Sequence, residues 1–353
     1  MRLAIDLPIA PMLARLIDDI PAADAVPGGY AYEPKWDGFR CIILRDGDQV
    51  ELISRMNKQL TRYFPEVVER VRAALPDRCV VDAEIIVRTG RPGNQKLDWD
   101  ALSARVHPAL KRIHRLSVQT PAELVCFDLL ALDDSSLLNL PYDTRRELLE
   151  GLFAGVAPES GVHLTVVTHD AELAREWFHS FEGAGLDGVM VKERRGCYEP
   201  GRRSMLKVKH TRTAEAVVVG YRKHARGHGV GSLLLGMYDE GGELVNVGGI
   251  GALSDRMREA LADELEPLRA PEGEGLILPP TNARNRLGPW DQGAYIPLRP
   301  ELVVEVSFDQ LEGRRFRHAV TLVRFRPDRE PRSCTLDQVD VASAYDLGRL
   351  LDS

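Results

Sequence analysis

The residues best placed for covalent chemistry are Lys35 and its neighbours in Lys35-Trp36-Asp37-Gly38, with Arg40 two positions further on. In such a setting one lysine could attack a nucleotide phosphate, provided that its amine is neutral. An unperturbed pKa of about 10.4 leaves lysine almost wholly protonated at neutral pH, so nearby cations, a bound metal or desolvation must disfavour the ammonium form. By itself the tetrapeptide is a weak signal, since three fixed positions recur by chance in roughly one of twenty or thirty chains of this length. Its meaning depends on the residues downstream.

Those residues form an ordered series. Ser54-Arg55 comes first, then Asp82-Ala83-Glu84 and Phe127-Asp128, each of these two inside an apolar run. A charge in a buried strand is expensive unless it is paired or used. Glu84 could accept from a ribose hydroxyl and Phe127 could stack on a purine; in isolation, Glu84 reads first as the partner of an internal arginine and Phe127 as plain core. Gly185-Leu186-Asp187-Gly188-Val189-Met190-Val191-Lys192 sets another acid at a strand entrance. Asp187 is a candidate ligand for Mg²⁺, which takes carboxylate and phosphate oxygens together, whereas Asp-Gly alone would be a turn. In Leu206-Lys207-Val208-Lys209 the lysines alternate, so both lie on one face of a strand, where they could lower the nucleophile's pKa and hold phosphate charge. The basic tract Arg324-Phe325-Arg326-Pro327-Asp328-Arg329 closes the series; alone, it would be a solvated edge.

The elements that must position these residues fall into two groups. Up to about residue 210, short apolar runs alternate with amphipathic helices. Val80 to Val87 and Val125 to Leu132 read as buried strands. Phe64, Val67, Val68, Val71, Ala74 and Leu75 recur at helical spacing, with Pro65 in the first turn where a missing amide hydrogen costs nothing. Asp143 can cap a helix carrying Leu148, Leu149 and Leu152, and Leu173, Trp177 and Phe181 stripe another near Asp170 to Phe181. Beyond Lys209 the pattern changes to strands with Gly-rich turns: Ala216 to Tyr221, Ser232 to Tyr238, Glu243 to Val247, Leu302 to Phe308 and Ala319 to Phe325. One helix begins after Ser254. Five strands and a helix suit a small closed barrel such as an OB fold. Pro271 to Pro289 reads as a long surface loop. The expected class is α+β, with a first domain over 1–211 and a β-barrel over 212–353.

Composition bounds the partners. The chain has 353 residues, 28% of them charged, and a formal net charge of -7, which argues against a uniformly cationic coat but leaves room for a local basic surface. Its five cysteines include no CxxC pair and no Cys/His ligand spacing, so neither a disulfide framework nor a zinc module is expected, and a reducing cytoplasm fits. Met1 to Ile20 is broken by Pro8, Pro11 and several charges, unlike a signal peptide, and no apolar run approaches membrane-spanning length.

Taken in order, Lys-x-Asp-Gly with its Arg, Ser-Arg, Asp-Ala-Glu, Phe-Asp, acid-Gly-Val-Met-Val-Lys, Lys-x-Lys and Arg-x-Asp-basic resemble the motifs of the covalent nucleotidyltransferases: ATP-dependent DNA ligases, RNA ligases and mRNA capping enzymes. The resemblance runs from about Pro11 to Pro331. It is closest to ATP-dependent DNA ligases of the small stand-alone bacterial type called ligase C, through Glu33 to Arg40 and Gly231-Ser232-Leu233-Leu234-Leu235-Gly236. It implies a nucleotidyltransferase (adenylation) domain followed by an OB-fold domain. Lys35 would carry AMP, Glu84 would bind the ribose, Phe127 would stack on adenine, and Glu33 and Lys192 would line the nucleotide site. Arg40 and Arg55 would contact the nucleotide or the 5′ phosphate at a nick, Asp37 would join the catalytic set, and Asp187 would help hold Mg²⁺ or Mn²⁺. Lys207 and Lys209 would contact the α-phosphate, while Arg326, Asp328 and Arg329 would orient pyrophosphate. Asp187 stands where most relatives carry Glu, Arg329 where Lys is frequent, and Met205-Leu206 where an aromatic often precedes Lys-x-Lys.

The resemblance further implies ATP as substrate, nicked or broken duplex DNA as acceptor, and cationic stretches such as Lys111 to Arg115 and Lys192 to Arg212 tracking its backbone. No separate N-terminal DNA-binding domain is expected, so grip would come from the two domains or from a DNA-end-binding or repair-polymerase partner. A monomer in the bacterial cytosol, associated with the nucleoid and acting in repair, is the accompanying expectation. An RNA ligase, a GTP-dependent capping-type enzyme and a non-catalytic DNA-end scaffold are the alternatives.

Overall fold

The structure is a computed structural model that describes residues 1–210, 212–224, 229–271, 295–309, 311–312, 314–339 and 345–352. It divides into two units, Met1–His210 with Ala342–Ser353, and Thr211–Val341. Residues 345–352, expected within the second domain, pack on the first: Leu347, Leu350 and Leu351 recur at helical spacing and bury one apolar edge there.

The first unit contains two larger sheets and a two-stranded ribbon, Arg88–Arg91 with Asn94–Leu97. One has four strands in the order Ala14–Leu16, Met205–Lys209, Gly188–Glu193, Tyr30–Pro34. The other runs Val162–Leu164, Glu123–Leu132, Arg78–Ile86, Phe39–Asp46, Gln49–Ser54, with Ser135–Ser136 paired beside Glu123–Leu132. Side chains alternate across a strand, so each strand serves two layers. Cys41, Ile43, Val81, Ala83 and Ile85 face a core with the helices Pro65–Ala74 and Tyr142–Phe153 through Val67, Val71 and Leu149. Ile42, Leu44 and Val80 face the other way and meet Met190 and Met205 of the four-stranded sheet. The far face of that sheet, Tyr30, Tyr32, Val189, Val191 and Val208, packs on the helix Ala171–Ser180.

This alternation has a chemical consequence. Arg40 shares parity with Ile42, Asp82 and Glu84 with Val80, Lys192 with Met190, and Lys207 and Lys209 with Met205, so all six are aimed into the space between the sheets. Phe127 reaches the same region by another device. Ala83 pairs with Cys126 and Asp82 with Asp128, leaving Phe127 as the extra residue of a β-bulge, which re-aims a side chain.

Local signals explain several helix starts. Pro65 opens its helix; the Asp170 carboxylate accepts from the Glu172 amide, and Ser254 Oγ accepts from the Met257 amide at the start of Asp255–Leu265. Asp143 does not cap its helix: Pro141 holds the cap position, and the Asp143 carboxylate is drawn instead to the Arg194 guanidinium at 2.9 Å.

In the second unit five strands lie in the order Leu244–Ile250, Val230–Tyr238, Arg212–Lys223, Val303–Phe308, Thr321–Phe325, over a core shared with Leu261 and Leu265 of the helix. The outer edges touch through one parallel bridge, Ile250 with Val320, and no closed barrel forms among the described residues. The loop expected over 271–289 lies, after residue 271, outside the described residues. Among the described residues no helix is long and apolar enough to cross a membrane.

A buried ion pair ties the bulge strand to its helix: Arg145 Nε and Nη2 donate to the two oxygens of Asp128 at 2.7 and 3.0 Å, both side chains almost wholly buried. Asp128→Ala leaves a buried guanidinium without its counter-ion. The expected loss is about 3–5 kcal/mol, read from the denaturant midpoint of the first unit.

Candidate active site

The Tyr30–Pro34 and Gly188–Glu193 strands pair antiparallel, and their hydrogen bonding continues past Pro34. The Lys35 amide donates to the Gly188 carbonyl at 2.8 Å, and the Asp187 amide donates to the Lys35 carbonyl at 3.0 Å. Two segments 152 residues apart thereby face each other, and Lys35 Nζ lies 2.6 Å from Asp187 Oδ2. Lys209, paired in register with Gly188, brings its Nζ to 2.7 Å from the same oxygen. The register depends on Gly188, whose φ is +130° and whose position leaves no room for a side chain: a Cβ there would stand 2.0 Å from the Val208 carbonyl oxygen. Burial opposes ionisation of Asp187, yet the Lys35 and Lys209 ammonium groups hold its carboxyl below the usual range. Its other oxygen, Oδ1, is buried without a hydrogen-bond partner. Lys207, next along the same face, is pushed down by burial and then by its cationic neighbours Lys35 and Lys209.

The opposite wall comes from the six-stranded sheet. The Gly38 amide donates to Glu84 Oε1 at 3.0 Å, and a Cβ on Gly38 would meet the Ile85 carbonyl oxygen at 2.2 Å. Glycine thus lets the chain after Lys35 lie against the strand that carries Glu84. Burial pushes the Glu84 carboxyl up to about 8, against the pull of Lys35 and Arg40. Arg40 forms a two-point pair with Asp82 at 3.0 and 2.6 Å, and Asp82 also accepts from the Tyr198 hydroxyl at 2.6 Å. Two cations lie near the Phe127 ring, Arg40 Cζ at 5.5 Å and Lys192 Nζ at 5.1 Å from its centroid. Glu33 accepts from Lys192 Nζ at 2.8 Å and from the Tyr142 hydroxyl at 2.5 Å, while Lys192 also donates to the Phe127 carbonyl at 3.1 Å.

Lys35, Asp187, Lys207, Lys209, Glu84, Arg40, Phe127, Glu33 and Lys192 therefore all line or border the inter-sheet space. Asp37 is part-buried and close enough to Glu84 for its charge to disfavour a second carboxylate there. Arg55 is exposed on the turn after Gln49–Ser54, with its amide 3.3 Å from the Arg40 carbonyl. Arg326, Asp328 and Arg329 belong to the second unit. Arg326 holds Asp328 at 2.8 Å and contacts Glu215, and Arg329 Nε lies 2.5 Å from Glu215 Oε2. The hydrogen bond from Arg326 lowers the Asp328 carboxyl to about 2.

Sequence reasoning passed over Asp82, Tyr198, Tyr142 and Thr165. Asp82 carried a usable signal, an acid inside an apolar run, but Glu84 two residues on drew the chemical reading. Tyr198 and Tyr142 orient Asp82 and Glu33, and Thr165 accepts from the Trp36 indole at 2.8 Å. Nothing in their local sequence marks those three.

Residues 11–209 match the family described as ATP dependent DNA ligase domain, and residues 226–329 match ATP dependent DNA ligase C terminal region. The molecule is thus a nucleotidyltransferase-type ligase domain followed by a C-terminal domain. DNA ligase C1 of Mycolicibacterium smegmatis is 47% identical over 360 residues, 100% of this chain and 99% of that protein. DNA ligase C of Mycobacterium tuberculosis is 45% identical, over 96% of each chain. A solved Lig E DNA ligase, 17% identical with a TM-score of 0.53, covers 90% of this chain and 100% of its own, a likeness of fold alone. The chain belongs to the ATP-dependent DNA ligases. RNA-ligase, capping-type and scaffold readings give way to that membership.

The geometry has two testable outcomes. Gly38→Ala forces the Lys35 segment off the Glu84 strand, and a displacement on the order of 1 Å is expected to slow nick sealing about 100-fold in a steady-state assay. Glu84 has an ordinary value of 4.5 and a folded value of about 8, so the stability it confers is complete below pH 4.5 and is lost as pH rises through about 8. Measured against Glu84→Gln, the thermal midpoint of the parent should fall steadily across that window and level off above it.

Proposed function

We propose that Lys35 is the residue that becomes linked to AMP. Its Nζ attacks the α-phosphorus of ATP, a P–N bond forms, the bond to the β-phosphate breaks, and pyrophosphate and the amine proton leave. A 5′-phosphate oxygen at a break in duplex DNA then displaces Lys35 from the phosphorus, and the 3′ hydroxyl finally displaces AMP to seal the strand. The observation that carries this reading is Lys35 Nζ 2.6 Å from Asp187 Oδ2, in a space shared with Lys207, Lys209, Glu84 and Phe127.

Lys207 and Lys209 supply positive charge for the α-phosphate, and burial of Lys207 strengthens that field. Glu84 accepts from the ribose and Phe127 offers its ring to adenine, with Glu33 and Lys192 at the rim of the base. Arg40 acts here as a fixed cation: Asp82 and Tyr198 hold its guanidinium in one orientation, which suits it to a nucleotide or 5′-phosphate oxygen. Arg55, exposed beside it, suits the DNA phosphate, and Asp37 completes the acidic side of the site. The spare Oδ1 of Asp187 fits Mg²⁺ or Mn²⁺, which bind through one or two carboxylates plus phosphate oxygens, although no group of three potential metal ligands occurs among the described residues. When bound there, such a cation would neutralise phosphate charge and the carboxylate that otherwise holds the Lys35 ammonium.

For the C-terminal domain we propose an OB fold, supported by the five-strand order and by the bridge between its outer edges. Arg326, Asp328 and Arg329, organised around Glu215, would orient the departing pyrophosphate. Repair of DNA breaks, a bacterial cytosolic and nucleoid-associated location, a monomeric state and an end-binding or repair-polymerase partner complete the proposal.

Incubation with ATP labelled on the α-phosphate, then denaturing electrophoresis, is the direct test. Label should stay on the parent and vanish from Lys35→Ala; label retained by the variant would move the nucleophile elsewhere. Arg326→Ala should depress labelling yet spare sealing of a nick that already carries AMP on its 5′ end, because pyrophosphate departs only in the first step.

A further inference from the structure

We propose that residues 345–352 act as a positioning clamp for the nucleotidyl-transfer site, holding from behind the two segments that carry Lys35 and Asp187. The inference rests on the assignment of Lys35 as nucleophile.

The segment comes after the second unit in sequence but completes the core of the first. Leu347 is 0%, Leu350 6% and Leu351 4% exposed, and they cluster with Trp36, Ile86 and Leu186. Trp36 is the residue after Lys35, Leu186 the residue before Asp187, and Ile86 lies two beyond Glu84. One apolar patch is therefore shared by the neighbours of three groups whose relative positions govern the chemistry.

Polar contacts dock the segment at both ends. Near its start, the Gln95 amide donates to Asp346 Oδ1 at 2.9 Å and the Leu347 amide donates to the Gln95 carbonyl at 2.9 Å. Near its end, Arg88 Nη1 donates to Asp352 Oδ1 at 2.9 Å, and His163 Nδ1 lies 2.9 Å from the Leu351 carbonyl. A carbonyl only accepts, so Nδ1 is the donor. The other ring nitrogen of His163 lies 2.7 Å from Glu123, whose second oxygen takes Arg88 Nε at 2.9 Å. A charged network that reads as internal structure in the ligase domain thus terminates on this segment.

Positioning is a matter of geometry. Lys35 and Asp187 are already joined by backbone hydrogen bonds, so what the clamp constrains is the placement of that joined pair against the Glu84 strand. Catalytic groups need to be held within about 0.5 Å of productive geometry by the packing around them. Shortening Leu347 and Leu351 would let Trp36 and Leu186 relax into the space.

The test compares the full chain with Leu347→Ala/Leu351→Ala, Leu347→Met/Leu351→Met and the milder Leu350→Ala. Lysyl-AMP formation is monitored in single turnovers over a range of ATP concentrations, with thermal unfolding of each protein measured in parallel. The alanine pair is expected to lower the maximal rate about tenfold while the ATP concentration for half-maximal rate moves less than about threefold, and the methionine pair to restore it. If the alanine pair does not fold, Leu350→Ala carries the comparison, with a smaller fall in the same parameter. Folded variants with the parental rate, or rates that merely track the folded fraction, overturn the clamp. If the parent itself forms no lysyl-AMP, the assignment of Lys35 fails and the clamp falls with it.

Discussion

One carboxylate oxygen organises the site. Asp187 Oδ2 is shared by Lys35 and Lys209 within 2.7 Å, in a place almost closed to solvent. An ionised carboxylate so buried costs several kcal/mol unless cations offset it, and here one cation comes from the neighbouring strand and the other from the residue just past Tyr30–Pro34. The strand register, the side-chain-free position at Gly188, and the backbone bonds between Lys35 and the Asp187-Gly188 pair all serve to deliver those charges to one point. A slip of one residue in Met205–Lys209 would turn the Lys209 charge to the wrong face.

The wider site obeys the same economy. Strands between two layers must send alternate side chains to helices on one side and to the inter-sheet space on the other. The polar set occupies part of that space, and three further acids in it are matched: Asp82 with Arg40 and Tyr198, Glu33 with Lys192 and Tyr142, Glu84 with the Gly38 amide. Such a lattice is preorganised for an anionic, planar, hydroxyl-bearing ligand, since cations, an aromatic face and acceptors are already oriented before it arrives. The second unit is arranged on similar lines, with Arg326 and Arg329 gathered on Glu215.

Much of this was legible before folding. The α+β class, the main strands and the helices starting near Asp170 and after Ser254 stem from periodicity and local hydrogen-bonding capacity, which depend on neighbours within a few residues. Asp143 misled because a capping side chain is also a free carboxylate, and the Arg194 guanidinium competes for it across 51 residues. The end of the chain misled for a related reason: an apolar triplet announces that it will be buried but not against what.

By itself, then, the sequence determined the ordered set of reactive residue types, and with it the family, because identity and order along the chain are properties of the chain alone. Only the tertiary structure decided that Asp187 is shared by two lysines, that Arg40 is bound to Asp82, that Phe127 sits on a bulge, and that residues 345–352 return to the ligase domain. Those facts turn on strand register and on which distant charge or apolar surface prevails at close range. Coulomb attraction and packing act through space, and separations from the 22 residues between Asp187 and Lys209 to more than 260 leave no periodic trace in the sequence.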